Sequence, residues 1–189
     1  IAGSPATIAY SDNWGVTWVT ITAGSVNGQT PLALHTLRPT SIWLATTGGY
    51  LYHSNNSGQD WRAAHSGLYT TGDLNAVAFH DDNEGWVVGD GDKILFTRNA
   101  GSSWDLFSTG SGDDLASVSL LGDLVLVGTS SGKLFVGGEA GTFSRVTTLP
   151  AAIVAAHFVS HCPQVMVAVT ATTAYISVNG GWSWRAIAT

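Results

Sequence analysis

Charged residues are scarce in this sequence. Only 11% of its 189 residues are Asp, Glu, Lys or Arg, and only seven of them are Lys or Arg. An ordinary soluble domain carries about 25% charged residues. Nucleic-acid surfaces need clustered cations that displace counterions from phosphates, and anionic membranes attract similar clusters. Because the formal net charge is -6, we expect no binding to nucleic acid and no polybasic membrane patch.

Cysteine, long apolar runs and helical periodicity are also lacking. Cys162 is the single cysteine, so no disulfide forms within the chain. The longest apolar stretches, such as residues 115–128, are interrupted by Gly and Asp, which excludes a membrane-spanning helix. No segment keeps a 3.6-residue apolar period. No signal peptide is visible, and the sequence begins with Ile, so we expect a processed chain or part of a longer product.

Glycine and short apolar segments are plentiful instead, and they recur with a fixed period. The sequence is 44% hydrophobic and contains 23 glycines, which is typical of a turn-rich all-β protein. An aromatic residue returns in steps of 43, 43, 39 and 41 residues, at Trp18, Trp61, Trp104, Phe143 and Trp184. A repeat of about 40 residues indicates a solenoid or propeller architecture.

Each full repeat contains four strand-length segments that are rich in β-branched and aromatic residues and bounded by Gly, Asn, Asp or Ser. Four strands per repeat of about 40 residues predict a β-propeller with four-stranded antiparallel blades. The prediction is one propeller domain over residues 1–189, either by itself or as part of a longer propeller. Its units are approximately 1–26, 27–68, 69–110, 111–150 and 151–189, which makes four full units and a half unit.

The half unit, residues 1–26, shows only the third and fourth strands of a blade. An unpaired sheet edge invites association, so we expect it to be covered. Upstream sequence, an open propeller or a strand from another chain would each account for it, and upstream sequence is favoured. We therefore predict that this half blade contacts another subunit or an upstream segment.

A short phrase precedes four of the recurring aromatics: SDNWGVTW, SNNSGQDW, TRNAGSSW and SVNGGWSW. It resembles the Asp-box, or BNR repeat, of sialidases, sortilin-type receptors, xyloglucan-cleaving enzymes, photosystem assembly factors and phage tail proteins. The resemblance implies a hairpin turn between the third and fourth strands of a blade. The predicted turn residues are Ser11, Asn13, Gly15, Trp18, Ser54, Asn56, Gly58, Trp61, Thr97, Asn99, Gly101, Trp104, Ser177, Asn179, Gly181 and Trp184.

The resemblance implies a structural role at the outer rim of the propeller. Glycine supplies a positive φ, the hydroxyl and amide side chains cap turn N–H groups, and the tryptophan covers the hairpin. The third position is Asn in all four copies rather than Asp, which removes a negative charge and makes cation binding less favourable. The corresponding segment of unit four, VGGEAGTF, departs further from the pattern.

Acidic residues cluster in one segment, and their pattern allows three interpretations. Asp81, Asp82, Glu84, Asp90 and Asp92 lie within HDDNEGWVVGDGD. They are expected to form two polar hairpin turns around the strand that contains Trp86. A glycoside hydrolase would need two of the carboxylates to face each other, near an aromatic such as Trp14 or Tyr69. Calcium would need several of their oxygens, but no known calcium-loop spacing is present.

Other catalytic arrangements are poorly represented. The three-arginine cradle of sialidases is not expected, because Arg62, Arg145 and Arg185 fall in fourth strands and Arg98 falls in a box turn. His157 and His161 share one strand face and would reach one zinc ion, but no third ligand is evident, and Cys162 points the other way. Nucleophile elbows, phosphate loops and dinucleotide fingerprints do not occur. We therefore predict no cofactor, no metal site and no catalytic residue.

Two classes of function follow. The first is a non-catalytic interaction or structural module that presents loops to a protein or glycan partner at a cell surface, outside the cell or in a virion. The second is an enzyme, a glycoside hydrolase or sialidase-like propeller fragment. A photosystem-type assembly factor is a further alternative, although the basic patch that the resemblance implies for it is missing. Function must come from a site rather than from the fold.

Overall fold

The computed structural model of the protein describes residues 2–3, 7–11, 13–22, 26, 28–66, 72–159 and 162–187. Within these ranges the chain forms five antiparallel sheets and no α-helix. Each sheet is a meander in which consecutive strands pair, because short strands joined by tight turns favour antiparallel neighbours. The predicted all-β class is confirmed.

The bounds of the strands are as follows. Sheet 1 contains β1 (Ala2–Gly3), β2 (Thr7–Tyr10) and β3 (Val19–Thr22). Sheet 2 contains β4 (Pro31–Arg38), β5 (Ser41–Thr46), β6 (Tyr50–Ser54) and β7 (Arg62–Ser66), with one 3₁₀ turn at Thr47–Gly49. Sheet 3 contains β8 (Leu74–Phe79), β9 (Gly85–Gly89), β10 (Lys93–Thr97) and β11 (Asp105–Phe107). Sheet 4 contains β12 (Leu115–Leu121), β13 (Leu124–Thr129), β14 (Lys133–Gly137) and β15 (Phe143–Thr148). Sheet 5 contains β16 (Ile153–Val159), β17 (Cys162–Thr170), β18 (Ala174–Ser177) and β19 (Arg185–Ala186).

The five sheets are arranged in a row, with their first strands on the inside. β1 contacts β4, β4 contacts β8, β8 contacts β12, and β12 contacts β16. The fourth strand of each full sheet is the outermost one. Radial sheets that meet at their first strands are the blades of a β-propeller, so the predicted architecture is also confirmed.

The half unit needs one correction. The sequence suggested that only the third and fourth strands were present in unit one, but β1 pairs with β2 through Ala2–Ile8 and Gly3–Thr7. Sheet 1 is therefore three-stranded in the described residues. A strand of two residues is too short to produce an alternating apolar pattern, so β1 could not be predicted from the sequence.

Every sheet has two ends, and the turns divide between them. The box end carries the first-to-second and third-to-fourth turns, since Ala100 N donates to Asn83 O at 3.0 Å and Gly180 N donates to Gln164 O at 2.8 Å. The linker end carries the second-to-third turns and the connections between sheets, as the bond from Asp90 N to Asp73 O at 3.0 Å shows. A five-residue strand separates the two ends by about 17 Å.

The apolar core lies between neighbouring sheets. Second-strand residues Trp43, Trp86 and Leu126 occupy the same register, since their partners on the third strands are His53, Phe96 and Val136. Each of the three faces the next sheet along the row and is buried. Sheets 2, 3 and 4 consequently bury both faces, and this makes their second strands continuous apolar runs rather than alternating ones.

Candidate functional site

Four turns at the box end share one hydrogen-bond pattern. In each, the hydroxyl of the first residue accepts the N–H of a glycine four positions later, at 2.8–3.0 Å. The Oδ1 atom of the asparagine accepts the N–H of the residue four positions after it, at 2.9–3.0 Å. The turns contain Ser11, Asn13 and Gly15; Ser54, Asn56 and Gly58; Thr97, Asn99 and Gly101; and Ser177, Asn179 and Gly181. The side chains thus satisfy N–H groups that the strand ladders leave unpaired.

The amide of the asparagine makes a bond that a carboxylate does not make. Its Nδ2 atom donates to the side chain four positions later, at 2.7–2.9 Å, in all four turns. The acceptor is Thr17, Asp60, Ser103 or Ser183. A second carboxylate in place of Asn56 would repel Asp60. Beside Asp60 the amide therefore adds a hydrogen bond that an aspartate could not make, whereas the hydroxyls in the other three turns could also donate to a carboxylate. The sequence alone did not reveal this bond.

Two of these turns pack against the preceding sheet. A Cβ atom on Gly101 would lie 3.1 Å from the Trp43 ring, and a Cβ atom on Gly181 would lie 2.9 Å from Val146. The Trp104 indole N–H also crosses to sheet 2, where it donates to Ala64 O at 3.2 Å. Glycine is needed at both positions for the positive φ and for the close approach.

Replacing Thr97 with valine should lower the free energy of unfolding by about 1–3 kcal/mol. Valine keeps the shape but removes the oxygen that accepts the buried Gly101 N–H at 3.0 Å and the Asn99 N–H at 3.2 Å. Thr97→Ser keeps the hydroxyl and is the matched control. Urea unfolding followed by circular dichroism measures both variants. Equal stability of the two would show that the hydroxyl contributes nothing.

The corresponding turn of sheet 4 differs in length and chemistry. Gly137 occupies the position that Thr97 has in sheet 3, because each pairs with the equivalent residue of the second strand, Val125 or Gly85. Glycine has no hydroxyl to accept the turn N–H groups. The aromatic follows Gly137 after six positions rather than seven, at Phe143. Glu139 replaces the asparagine and forms an ion pair with Arg98 of the preceding turn, at 3.2 Å. Because both groups are exposed, this pair adds little stability.

A groove lies beside this altered turn, between sheets 4 and 5 at the box end. Two adjoining cavities of about 650 and 250 Å³ share Ser144, Val146 and Gly180. Leu124, Val136 and Met166 contribute apolar side chains to the larger cavity. Trp182 lines the smaller one and is 90% exposed. We call these two cavities the sheet 4–5 groove.

The groove exists because the repeat places smaller side chains there. Between sheets 2 and 3, Trp43 stacks with His53 at 4.2 Å between ring centroids, and between sheets 3 and 4, Trp86 stacks with Phe96 at 4.1 Å. The equivalent pair facing sheet 5 is Leu126 and Val136, which the register places at the same positions. An aliphatic pair fills less space than two stacked rings, so the box end of this interface stays open.

The acidic cluster of the sequence is split between the two ends of sheet 3. Asp81, Asp82 and Glu84 belong to the β8–β9 turn at the box end, whereas Asp90 and Asp92 belong to the β9–β10 turn at the linker end. The five residues of β9 separate the two groups. The two-turn interpretation therefore describes the arrangement, and carboxylates from the two turns do not face each other across one site.

The carboxylates at the linker end accept hydrogen bonds that connect the backbone across sheets. Asp73 accepts the Gly48 N–H and Asp114 accepts the Gly91 N–H, each at 2.9 Å. Each carboxylate therefore binds the backbone of the second-to-third turn of the preceding sheet. Asp92 accepts from Thr109 N and Gly112 N at 3.0 Å. Asp73 and Asp114 are not among the residues predicted from the sequence, although DLNAV and DLASV recur 41 residues apart.

Three carboxyl groups have shifted pKa values, each with a local cause. The Lys133 ammonium, assisted by Ser131, lowers the pKa of Asp113 through hydrogen bonds. The N–H groups of Glu84 and Asn83 lower the pKa of Asp81. Burial raises the pKa of Glu84, and Glu139 adds to the effect. A carboxyl group with a raised pKa and one with a lowered pKa can act as acid and base in a catalytic pair. Asp81, however, accepts hydrogen bonds from Asn83 N and Glu84 N and so caps its own exposed turn.

The remaining candidate side chains do not converge. Arg62, Arg145 and Arg185 lie in β7, β15 and β19, so they stand on the outermost strands of three sheets. His157 and Cys162 are exposed, while His161 lies outside the described residues. Across the described ranges, no group of three His, Cys, Asp or Glu side chains is placed to hold a metal ion.

The aromatics proposed beside a catalytic pair are also apart. Trp14 is fully exposed in the sheet 1 box turn, and Tyr69 lies outside the described residues. In the part of the chain that the structure describes, no helix is long and apolar enough to cross a membrane.

Known protein-family models and curated proteins give no match to this chain. Solved structures do resemble it. YCF48 from Cyanidioschyzon merolae has 18% identity and a TM-score of 0.72, over 98% of this chain and 67% of that one. A structure of YCF48 bound to D1 peptide has 16% identity and a TM-score of 0.69, over 98% and 61%. The GH74 enzyme of Niastella koreensis has 17% identity and a TM-score of 0.79, over 95% and 34%.

These likenesses support the β-propeller fold. At such low identities they do not transfer a function, because one fold hosts many activities. The chain spans between a third and about two thirds of the length of these three structures. They include both an enzyme and a propeller bound to a peptide, so they do not indicate which activity this chain has.

Proposed function

We propose that this chain is a non-catalytic protein-binding module that accepts an extended segment of a partner polypeptide in the sheet 4–5 groove. One observation carries the proposal. The groove runs beside β15, whose six residues make it the longest outermost strand of the described sheets. An outermost strand offers unpaired N–H and C=O groups along one edge, and an extended peptide pairs with such an edge by strand addition.

The side chains around the groove fit a peptide of mixed character. Ser144 and Val146 of β15 line both cavities, so a peptide paired with β15 places alternate side chains over the groove. Leu124 and Met166 provide apolar contacts for one of those side chains. Asp123 and Glu139 also line the larger cavity, which favours a Lys or Arg beside the apolar anchor.

Trp182 adds a contact of the type that dominates protein interfaces. Its indole is 90% exposed at the margin of the smaller cavity, next to Arg145. Tryptophan is enriched among the residues that contribute most to binding energy at protein interfaces, and Trp182, unlike the exposed Trp14, borders a cavity. The equivalent side chain in the sheet 3 box turn is Ser102, so the box pattern itself does not require an aromatic residue here.

The carboxylates support a non-catalytic role. Hydrolysis of a glycoside needs two carboxyl groups about 5–10 Å apart, with a free oxygen on each. Asp90 and Asp92 instead accept protein hydrogen bonds from Asp73, Asn75, Thr109 and Gly112. The glycoside hydrolase alternative would therefore require these structural carboxylates to release their donors.

Further parts of the proposal concern the repeat and the location of the protein. We propose that the four box turns are Asp-box turns with Asn in the Asp position, supported by the shared hydroxyl-to-glycine hydrogen bonds. A position outside the cell, at a cell surface or in a virion, is proposed from the low charge and the resemblance alone. The structure of YCF48 bound to D1 peptide supports peptide binding as a role that a similar fold can perform.

The experiment is selection of peptides from a phage-displayed random library, followed by titration of the selected peptide monitored through tryptophan fluorescence. Trp182→Ala should weaken binding at least tenfold, because the exposed indole loses its contact with the peptide. Trp14→Ala is the matched control, since Trp14 is equally exposed but lies in the sheet 1 box turn. It should leave the affinity unchanged.

Other outcomes contradict the proposal. Equal loss with both tryptophan variants would place binding outside the groove. Binding of β-glucan oligosaccharides, without any selected peptide, would favour a glycan partner. Release of reducing sugar from xyloglucan that disappears with Asp92→Asn would establish the enzyme alternative.

A further inference from the structure

Two side chains of opposite charge line the sheet 4–5 groove. Asp123 lines the larger cavity and Arg145 lines the smaller one, and both residues are exposed. Neither forms an ion pair within the described residues, whereas Arg38, Arg98 and Lys133 each pair with a carboxylate. The Asp123 carboxylate and the Arg145 guanidinium are therefore available to a ligand.

The larger cavity has an excess of negative charge, even though one of its carboxylates is paired. Glu139 Oε2 accepts from the Nε and Nη2 atoms of Arg98, at 3.3 and 3.2 Å. Arg98 also pairs with Asp105 at 3.4 Å, so one cation is shared between two carboxylates. Burial raises the pKa of Glu84, and the charge of Glu139 raises it further. With Asp123 unpaired as well, this cavity attracts a positively charged side chain.

The smaller cavity carries the opposite charge. Arg145 is the charged residue among the side chains that line it, and Trp182 lies beside it. The N–H groups of Gly180 and Gly181 already donate to protein acceptors, at 2.8 and 2.9 Å. An anion bound here therefore depends on the guanidinium, whose planar donors fit a carboxylate in a bidentate pair. A phosphate dianion is less suited, because one arginine would have to balance two charges close to the acidic cavity.

Apolar side chains accompany both charges. Leu124 and Met166 line the cavity that contains Asp123. The Trp182 indole lines the cavity that contains Arg145. A ligand that covers these side chains excludes water from the charges beside them, and opposite charges attract more strongly where water is excluded. Because the two cavities adjoin, one extended peptide segment can contact both.

We propose that the groove selects a peptide segment with two opposite charges, a Lys or Arg that pairs with Asp123 and an Asp or Glu that pairs with Arg145. This inference rests on the proposed function, since it names the class of peptide that the sheet 4–5 groove binds. The net charge of the chain, which is -6, predicts only a general attraction for basic peptides. The requirement for an acidic residue comes from Arg145 alone.

The affinity of a groove-binding peptide for charge-reversal variants tests the contact with Arg145. The peptide is one that is selected on the wild-type chain and loses its binding with Trp182→Ala. Arg145→Glu should weaken its binding by about tenfold or more, because an attraction becomes a repulsion. Arg62→Glu is the matched control, since Arg62 is exposed on the outermost strand of sheet 2 and the variant makes the same change in net charge away from the groove. It should change the affinity by less than about twofold.

Reversing a charge on the peptide as well distinguishes a direct contact from an indirect effect. A second selection, on Arg145→Glu itself, should give Lys or Arg at the position where the first selection gives Asp or Glu. Exchanging that single residue in the first peptide should restore its affinity for Arg145→Glu to within about threefold of the original value. The equivalent exchange at the basic position of the peptide should compensate for Asp123→Lys. Circular dichroism establishes that all variants are folded.

Four results would overturn the inference. Peptides whose binding needs Trp182 but not Arg145 would refute it and leave the proposed function intact. Equal losses with Arg145→Glu and Arg62→Glu would show a response to net charge alone. Selected peptides that contain only basic charged residues would show that the smaller cavity binds no anion. A library that gives no binder would contradict the proposed function and this inference together, so the two failures are distinguishable.

Discussion

Replacing Trp86 with alanine is expected to lower the free energy of unfolding by about 3–5 kcal/mol, the range for removing a large aromatic from a core. Trp86 is 1% exposed and stacks on Phe96, with 4.1 Å between ring centroids. Its edge also meets Phe143 of sheet 4 at 6.2 Å. The indole therefore connects two sheets, and a cavity there removes contacts from both, which explains the size of the expected loss.

Chemical unfolding of the alanine variant beside the wild type measures this loss. Trp182→Ala is the matched control, because the same truncation at a side chain that is 90% exposed should change stability by less than about 0.5 kcal/mol. If Trp86→Ala were as stable as Trp182→Ala, the interface between sheets 3 and 4 would not be held by its aromatic stack.

Replacing Asp92 with alanine should be the second most damaging of the changes considered, at about 3 kcal/mol, because hydrogen bonds to charged groups contribute about 1.5–3 kcal/mol each. The Asp92 side chain is nearly buried and accepts from the Thr109 hydroxyl at 2.6 Å and from Thr109 N and Gly112 N at 3.0 Å. Alanine would leave the N–H groups of Thr109 and Gly112 without this acceptor, whereas the Thr109 hydroxyl also has Ser111 Oγ within reach, at 2.8 Å. It would also occupy a positive φ of 62°, which Asp tolerates better than Ala.

Urea titration of Asp92→Ala, Asp92→Asn and Asp123→Asn separates the causes. Asp92→Asn keeps one acceptor oxygen and tolerates the backbone angle, so its loss should be smaller than that of alanine. Asp123 is exposed in the β12–β13 turn, and its amide variant controls for the removal of a charge. If all three variants matched the wild type, the hydrogen bonds to Asp92 would not stabilise the connection between sheets 3 and 4.

The elements that could be predicted from the sequence are those determined by residues close together in the chain. The hydroxyl, Asn and Gly of each box turn lie within five positions, so their spacing is sufficient to indicate a tight turn. The strand segments around Trp43 and Trp86 were evident for the same reason. Strand pairing within a sheet then follows from short turns, and the period of the aromatics indicated that the sheets repeat.

Features that depend on two sheets were not predictable in this way. The groove arises because Leu126 and Val136 meet sheet 5 where other sheets present stacked rings, and this requires the register of both strands. The acceptor role of Asp73 depends on Gly48, 25 positions earlier in the chain. The solvent exposure of single side chains could not be predicted either. Trp182 and Trp184 lie in one turn, but only Trp184 packs against the core of sheets 4 and 5.

The arrangement of the sheets in a row, each touching the sheets before and after it, has a consequence for local opening of the fold. In such a chain, stability is close to a sum of terms for single sheets and for nearest-neighbour interfaces. Sheet 3 is covered by sheets 2 and 4, whereas sheet 5 is covered by sheet 4 alone among the described residues. Amide protons of β9 should therefore exchange only through nearly global unfolding, because opening sheet 3 breaks the interfaces with both of its neighbours.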